Sequence, residues 1–91
     1  MASVDPNVAE LAAADVVAQI EARLAGQLSD AALADWAFDQ FYALELGLRR
    51  LPAADEDVLR EALDTLMFAD MADFHLSEAE LRALAARLRN R

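Results

Sequence analysis

The stretch Ser29-Asp30-Ala31-Ala32-Leu33-Ala34-Asp35-Trp36-Ala37-Phe38-Asp39-Gln40-Phe41-Tyr42-Ala43-Leu44-Glu45-Leu46-Gly47-Leu48 decides how this chain is read. Trp36, Phe38, Phe41 and Tyr42, four of its six aromatic residues, sit among Leu33, Ala37 and Leu44 at spacings of three and four. That spacing gives one helix a broad apolar face plus a flank. Large aromatics bury the most area per residue, so the pattern puts this helix at the centre of the core. Ser29 is its cap, Asp30 suits the positive end of its dipole, and Leu28 with Leu33 forms a hydrophobic staple. Asp35, Asp39 and Glu45 mark its solvent side. Gly47 stops it, giving a helix over about 30–46; the alternative is a run to Arg50, ended by Pro52.

Before this stretch, Asp5 can cap and Pro6 can take the first helical position. Val8, Ala12 or Ala13, Val16, Val17, Ile20 and Leu24 then make a stripe that Gly26 ends, so a helix is expected over about 6–25. Its Ala-rich middle buries little area. It is accordingly the helix expected to be held least firmly, and it could equally be a dimer contact.

After the stretch, Asp55, Glu56 and Asp57 suit a helix start, and Val58, Leu59, Ala62, Leu63, Leu66, Met67 and Phe68 give an apolar face over about 55–69. A last helix over about 78–89 opens on the capping box Ser77-Glu78-Ala79-Glu80, with Leu76 and Leu81 as its staple. Its stripe is Leu81, Leu84, Ala85 and Leu88, and Arg82, Arg87 and Arg89 load its C-terminal half. The expectation is a compact four-helix, all-α domain occupying 1–91.

Composition agrees, since the chain is rich in Ala and Leu with two Gly and two Pro. A domain of 91 residues buries only about 60–65% of the surface its unfolded chain exposes, so a homodimer would add useful core. Seventeen acidic residues against eight basic ones give a net charge of −9. That charge disfavours nucleic acid and anionic lipid, and attracts a basic protein surface. There is no Cys, which removes disulfides, thiolate catalysis and cysteine metal sites. Neither a secretory signal nor a membrane span is apparent, so the cytoplasm is the expected location.

Candidate sites are few. The segment from Asp70 to Leu81 has the cadence of a calcium loop, but with Glu80 in the bidentate position, Ala69 and Met71 fall where ligands are needed and Phe74 replaces the required glycine. His75 is the only histidine, and Asp70 and Asp73 could at most complete a weak metal site with it. No nucleophile turn accompanies Ser29 or Ser77. No catalytic residue, metal or cofactor is expected, and the chain is not read as an enzyme. Size, charge and helix count resemble acyl carrier proteins, whose prosthetic group sits on an Asp-Ser-Leu motif; Ser3, Ser29 and Ser77 are followed by Val, Asp and Glu, and none matches.

The remaining signal is the cluster Asp55, Glu56, Asp57, Glu61 and Asp64, of which Asp57, Glu61 and Asp64 share one helical face. A basic partner would relieve their repulsion as well as add attraction, and Tyr42 is a candidate aromatic contact beside them. Phe38, Phe68 and Phe74 compete with Tyr42 for core space, and the simplest expectation is that all four are core.

With Ala34-Asp35-Trp36-Ala37 and Glu61-Ala62-Leu63-Asp64-Thr65-Leu66, the chain resembles small acidic, all-helical bacterial proteins, among them the immunity proteins of nuclease bacteriocins. That resemblance implies a protein-binding module, in its sharpest form an inhibitor of a basic toxin or nuclease domain, and carries over no binding residue. The alternative is a structural homo-oligomer, packed through Val16, Ile20 and Leu24 or through exposed aromatics.

Overall fold

A computed structural model describes residues 9–90. Within them, α1 (Ala13–Leu24), α2 (Asp30–Glu45), α3 (Glu56–Leu66) and α4 (Glu78–Arg89) build an all-α domain. Two-residue strands β1 (Ala9–Glu10) and β2 (Arg49–Arg50) pair in parallel, Ala9 opposite Arg49 and Glu10 opposite Arg50. Tight 3-10 turns at Ala53–Asp55 and Ala72–Phe74 precede α3 and α4.

The helix ends follow local chemistry. α1 and α2 both finish on a glycine with positive φ, Gly26 at +79° and Gly47 at +75°. Gln27 N–H then donates to the Ala22 carbonyl at 2.9 Å, and Leu48 N–H to that of Ala43 at 2.8 Å. These are the six-to-one bonds of a Schellman ending, which needs a residue free to turn left-handed. α2 therefore stops at Gly47 and does not run on to Arg50. Ser29 Oγ accepts from Ala32 N–H at 3.1 Å at its other end. The capping box of α4 is fully made: Ser77 N–H donates to Glu80 Oε1 at 3.0 Å, and Glu80 N–H to Ser77 Oγ at 3.1 Å.

Helix α1 begins at Ala13, not at Pro6. Asp5, Pro6 and Val8 lie outside the described residues, but Ala9 and Glu10 are extended and spend their hydrogen bonds on β2. Leu11 N–H continues that pairing to the Arg50 carbonyl at 2.9 Å. The side chain of Leu11 is thereby driven into the core, where it is fully buried. Asp15 Oδ2 accepts from Ala12 N–H at 2.9 Å and closes the new helix start. α3 is shorter than its apolar pattern, because residues after Leu66 wind into tight i→i+3 turns, Ala69 to Leu66 and Met71 to Phe68, each at 3.0 Å.

The core is aliphatic. Leu11, Val16, Ile20, Leu33, Leu59, Leu63, Leu66, Leu81 and Leu88 are its largest fully buried side chains. α1 packs along α4 and α2 along α3, and these are the two extensive helix contacts. Val16 and Ile20 are thus spent inside their own chain, which corrects the expectation of a loosely held first helix and removes its stripe as a dimer seam. The aromatics do not form the centre. Leu33, Ala37 and Leu44 give the inner face of α2, Trp36 packs half-buried against the cluster, and Phe38 and Tyr42 face outward. At roughly 100° per residue, Phe38, Tyr42 and Leu46 fall nearly opposite Leu33, Ala37 and Leu44. Small Ala34 and Ala37 on the inner side allow close helix approach and leave no room there for rings.

Candidate functional site

The five carboxylates at the start and along α3 are not equivalent. Leu59, Leu63 and Leu66 point inward, so Asp57, Glu61 and Asp64 project to solvent on the opposite face. Glu56 is engaged by Arg60, whose Nε lies 3.4 Å from its Oε2, while Arg60 also reaches Glu45 of α2 at 3.6 Å. Glu61 is met by Arg87 of α4 at 3.5 Å. Asp57 and Asp64 have no cationic partner among the described residues. The cluster is therefore partly neutralised within the chain, and the sequence-predicted face reduces to these last two residues with Glu61 between them. Asp55 sits just before α3, half-buried at the end of the 3-10 turn.

Tyr42 stands on α2, 56% exposed, its ring parallel to that of Phe38 with centroids 6.3 Å apart. Leu46, at the cap of α2, continues this outer side, and Leu48 beyond Gly47 is exposed as well. A second exposed apolar surface lies in the connection from α3 to α4. Phe68 and Phe74 meet there with centroids 6.0 Å apart and planes tilted by 48°, beside exposed Met71. All four rings expected in the core are thus at the surface, Phe74 at 59%. Rings paired with each other lose less to water than isolated ones, which makes such a surface tolerable.

The second surface is concave. Phe68, Met71, Phe74 and Leu76 line a hollow of about 550 Å³ together with the polar side chains of Asp64, Thr65, Asp73, His75 and Glu80. A smaller hollow of about 270 Å³ continues from it between α3 and α4, sharing Thr65, Leu76 and Glu80 and floored by Val58, Ala62 and Leu84. Its far end holds the Glu61–Arg87 pair. The trough exists because α3 packs chiefly on α2 and α4 chiefly on α1, so the facing sides of α3 and α4 touch little. The sequence singles out Glu61 and Asp64 but not the meeting of Asp64 with Phe68, Met71 and Phe74; the run of apolar residues past the end of α3, at Phe68 and Met71, is the available signal.

Glu80 is held below the usual glutamate range by the hydrogen bonds it receives from the Ser77 backbone and hydroxyl. His75 Nδ1 lies 3.5 Å from Asp30 Oδ2, so the histidine faces a helix-start carboxylate and not a nucleophile. Among the described residues no group of three or more His, Asp or Glu is arranged to hold a metal ion, and no helix is long and apolar enough to cross a membrane. Comparison with protein-family models, with characterised proteins and with solved structures finds no significant match.

Proposed function

We propose that this protein is an acidic protein-binding module for a basic partner, with inhibition of a basic toxin or nuclease domain as its most specific form. One observation carries the reading: large apolar side chains are exposed next to carboxylates that lack a cation of their own, Asp64 beside Phe68 above all. Apolar anchors supply affinity in such a surface, and unpaired acids supply attraction and choice of partner. The net charge of −9 favours the same sign of partner over the whole molecule. No catalytic role is proposed.

The test is binding to the partner identified by cross-linking in the source cell, using purified components. Asp57→Asn, Glu61→Gln and Asp64→Asn together should weaken binding at least tenfold and flatten its salt dependence. Unchanged affinity would remove the acidic face from the interface.

A homo-oligomer is the second reading, and exposed Phe38 and Tyr42 on α2, with exposed Leu46 and Leu48 just after its end, favour it. Solution mass by light scattering over concentration and salt separates the two. A monomer throughout leaves the surface for a different protein, whereas a dimer stable at high and low salt points to apolar self-packing through α2.

A further inference from the structure

We propose that the trough between α3 and α4 receives one amphipathic helix of the partner, its apolar side seated on Phe68, Met71 and Phe74 and its Lys or Arg residues against Asp64, Asp73 and Glu80. The proposal rests on the reading of this protein as a module for basic partners, and names the place and the shape of what is bound.

Three observations select the occupant. The floor is built from two rings and a thioether, the side chains that adapt best to a helix's apolar ridge. The trough has two lobes, of about 550 and about 270 Å³, joined at Thr65, Leu76 and Glu80. On α3 the lining residues run from Val58 to Thr65, about 12 Å at 1.5 Å per residue, which matches two turns of a docked helix with anchors at i, i+4 and i+7.

Charge decides the rest. The larger lobe is lined by three carboxylates and no arginine. Arg87, in the smaller lobe, is already turned to Glu61. His75 is directed to Asp30. A second copy of this chain, itself at −9, would bring acid to acid there, and a phosphate backbone or anionic lipid would be repelled in the same way. A helix with a basic side finds Asp64 and Asp73 without a cationic partner among the described residues, while Glu80 keeps one oxygen on the Ser77 N–H and offers the other.

The probe is a fluorescein-labelled synthetic peptide of about 14 residues, four helical turns, with Leu at i, i+3, i+4 and i+7 positions and Lys elsewhere. Fluorescence anisotropy should show saturable binding that weakens as salt rises. Phe68→Ser with Phe74→Ser should weaken it at least tenfold while circular dichroism and Tm stay near those of the parent, because both rings are exposed. Replacing the peptide's Leu by Ser, or its Lys by Glu, should abolish binding, and Phe38→Ser with Tyr42→Ser on α2 should leave it unchanged. Absence of saturable binding, equal binding of the Glu peptide, or indifference to the Phe68 and Phe74 changes would overturn the proposal. Binding of the natural partner that is lost in the Asp57, Glu61 and Asp64 variant but kept in the Phe68 and Phe74 variant would refute the trough and leave the acidic module standing. If neither variant weakens that partner, both readings fall.

Discussion

Arg23 donates from Nε to Asp30 Oδ1 at 2.5 Å across the turn that joins α1 to α2. The pair is mostly shielded from solvent, and hydrogen bonding to Asp30 raises the guanidinium above its ordinary value. Asp30 also stands at the first position of α2, where a negative charge suits the dipole. Its other oxygen faces His75, so one carboxylate ties α1, α2 and the α3–α4 connection together. Asp30→Ala should therefore cost about 1–2 kcal/mol, more than the near-zero value of an exposed pair. Urea unfolding of Asp30→Ala, Arg23→Ala and the double variant checks this. A coupling near zero would show that the pair adds nothing beyond its separate members.

Leu11 and Tyr42 together separate an aliphatic core from an aromatic one. Leu11 lies between the two-residue strand β1 and α1, yet it is fully buried. Leu11→Ala should cost about 2–5 kcal/mol, the range for a core leucine. Tyr42→Ser removes a larger side chain from the surface and should cost under about 1 kcal/mol, the scale of a single aromatic pair. Thermal unfolding of both variants distinguishes an aliphatic core from an aromatic one.

The elements that were legible in the sequence are those fixed within a few residues. The Ser77–Glu80 box and the stops at Gly26 and Gly47 depend only on local hydrogen bonds and φ, and each is found where its residues stand. The start of α1 was not legible, because it is set by a pairing of Ala9 and Glu10 with Arg49 and Arg50, some forty positions away in the chain. The placement of the rings failed for a different reason. α2 has apolar residues on two nearly opposite sides, so periodicity identifies the helix but cannot say which side is buried. The trough was legible only in part: Glu61 and Asp64 show in the charge pattern, while the meeting of Asp64 with Phe74 depends on how α3 and α4 diverge.

Glu80 sets an acid limit on the last helix. Its carboxyl is held down by Ser77 in the folded state, so the ionised form is the one that the fold prefers. A depressed pKa contributes stability above the unfolded value, near 4.5, and that contribution is lost as pH falls through the folded value. Stability of the parent should decline below the ordinary glutamate range. Glu80→Gln keeps an acceptor for the Ser77 N–H without the titrating proton, and should flatten that part of the acid limb. Chemical denaturation at a series of pH values reads the difference; identical slopes in parent and variant would refute the role of Ser77 in holding Glu80 down.

Asp64 and Asp57 share the outer face of α3 but occupy opposite ends of its dipole. Asp57 lies in the first turn, where its charge is favourable, and its repulsion by Glu61 one turn on works against that gain. Asp64 lies in the last turn, where the dipole is unfavourable, and it also faces Glu61 three positions back, so both effects have the same sign. Asp64→Asn should then stabilise the protein by about 0.5–1 kcal/mol at low salt, and Asp57→Asn should be neutral or slightly destabilising. The Asp64 gain should vanish near 1 M NaCl, where the Debye length is about 3 Å. Urea melts of both variants at low and high salt measure this directly. A stabilising Asp64→Asn that also weakens peptide binding would show a carboxylate held at the trough rim against the preference of its own helix, which is the signature of a residue kept for its partner. No stabilisation would mean that solvent alone accommodates Asp64, and its charge would then carry no such inference.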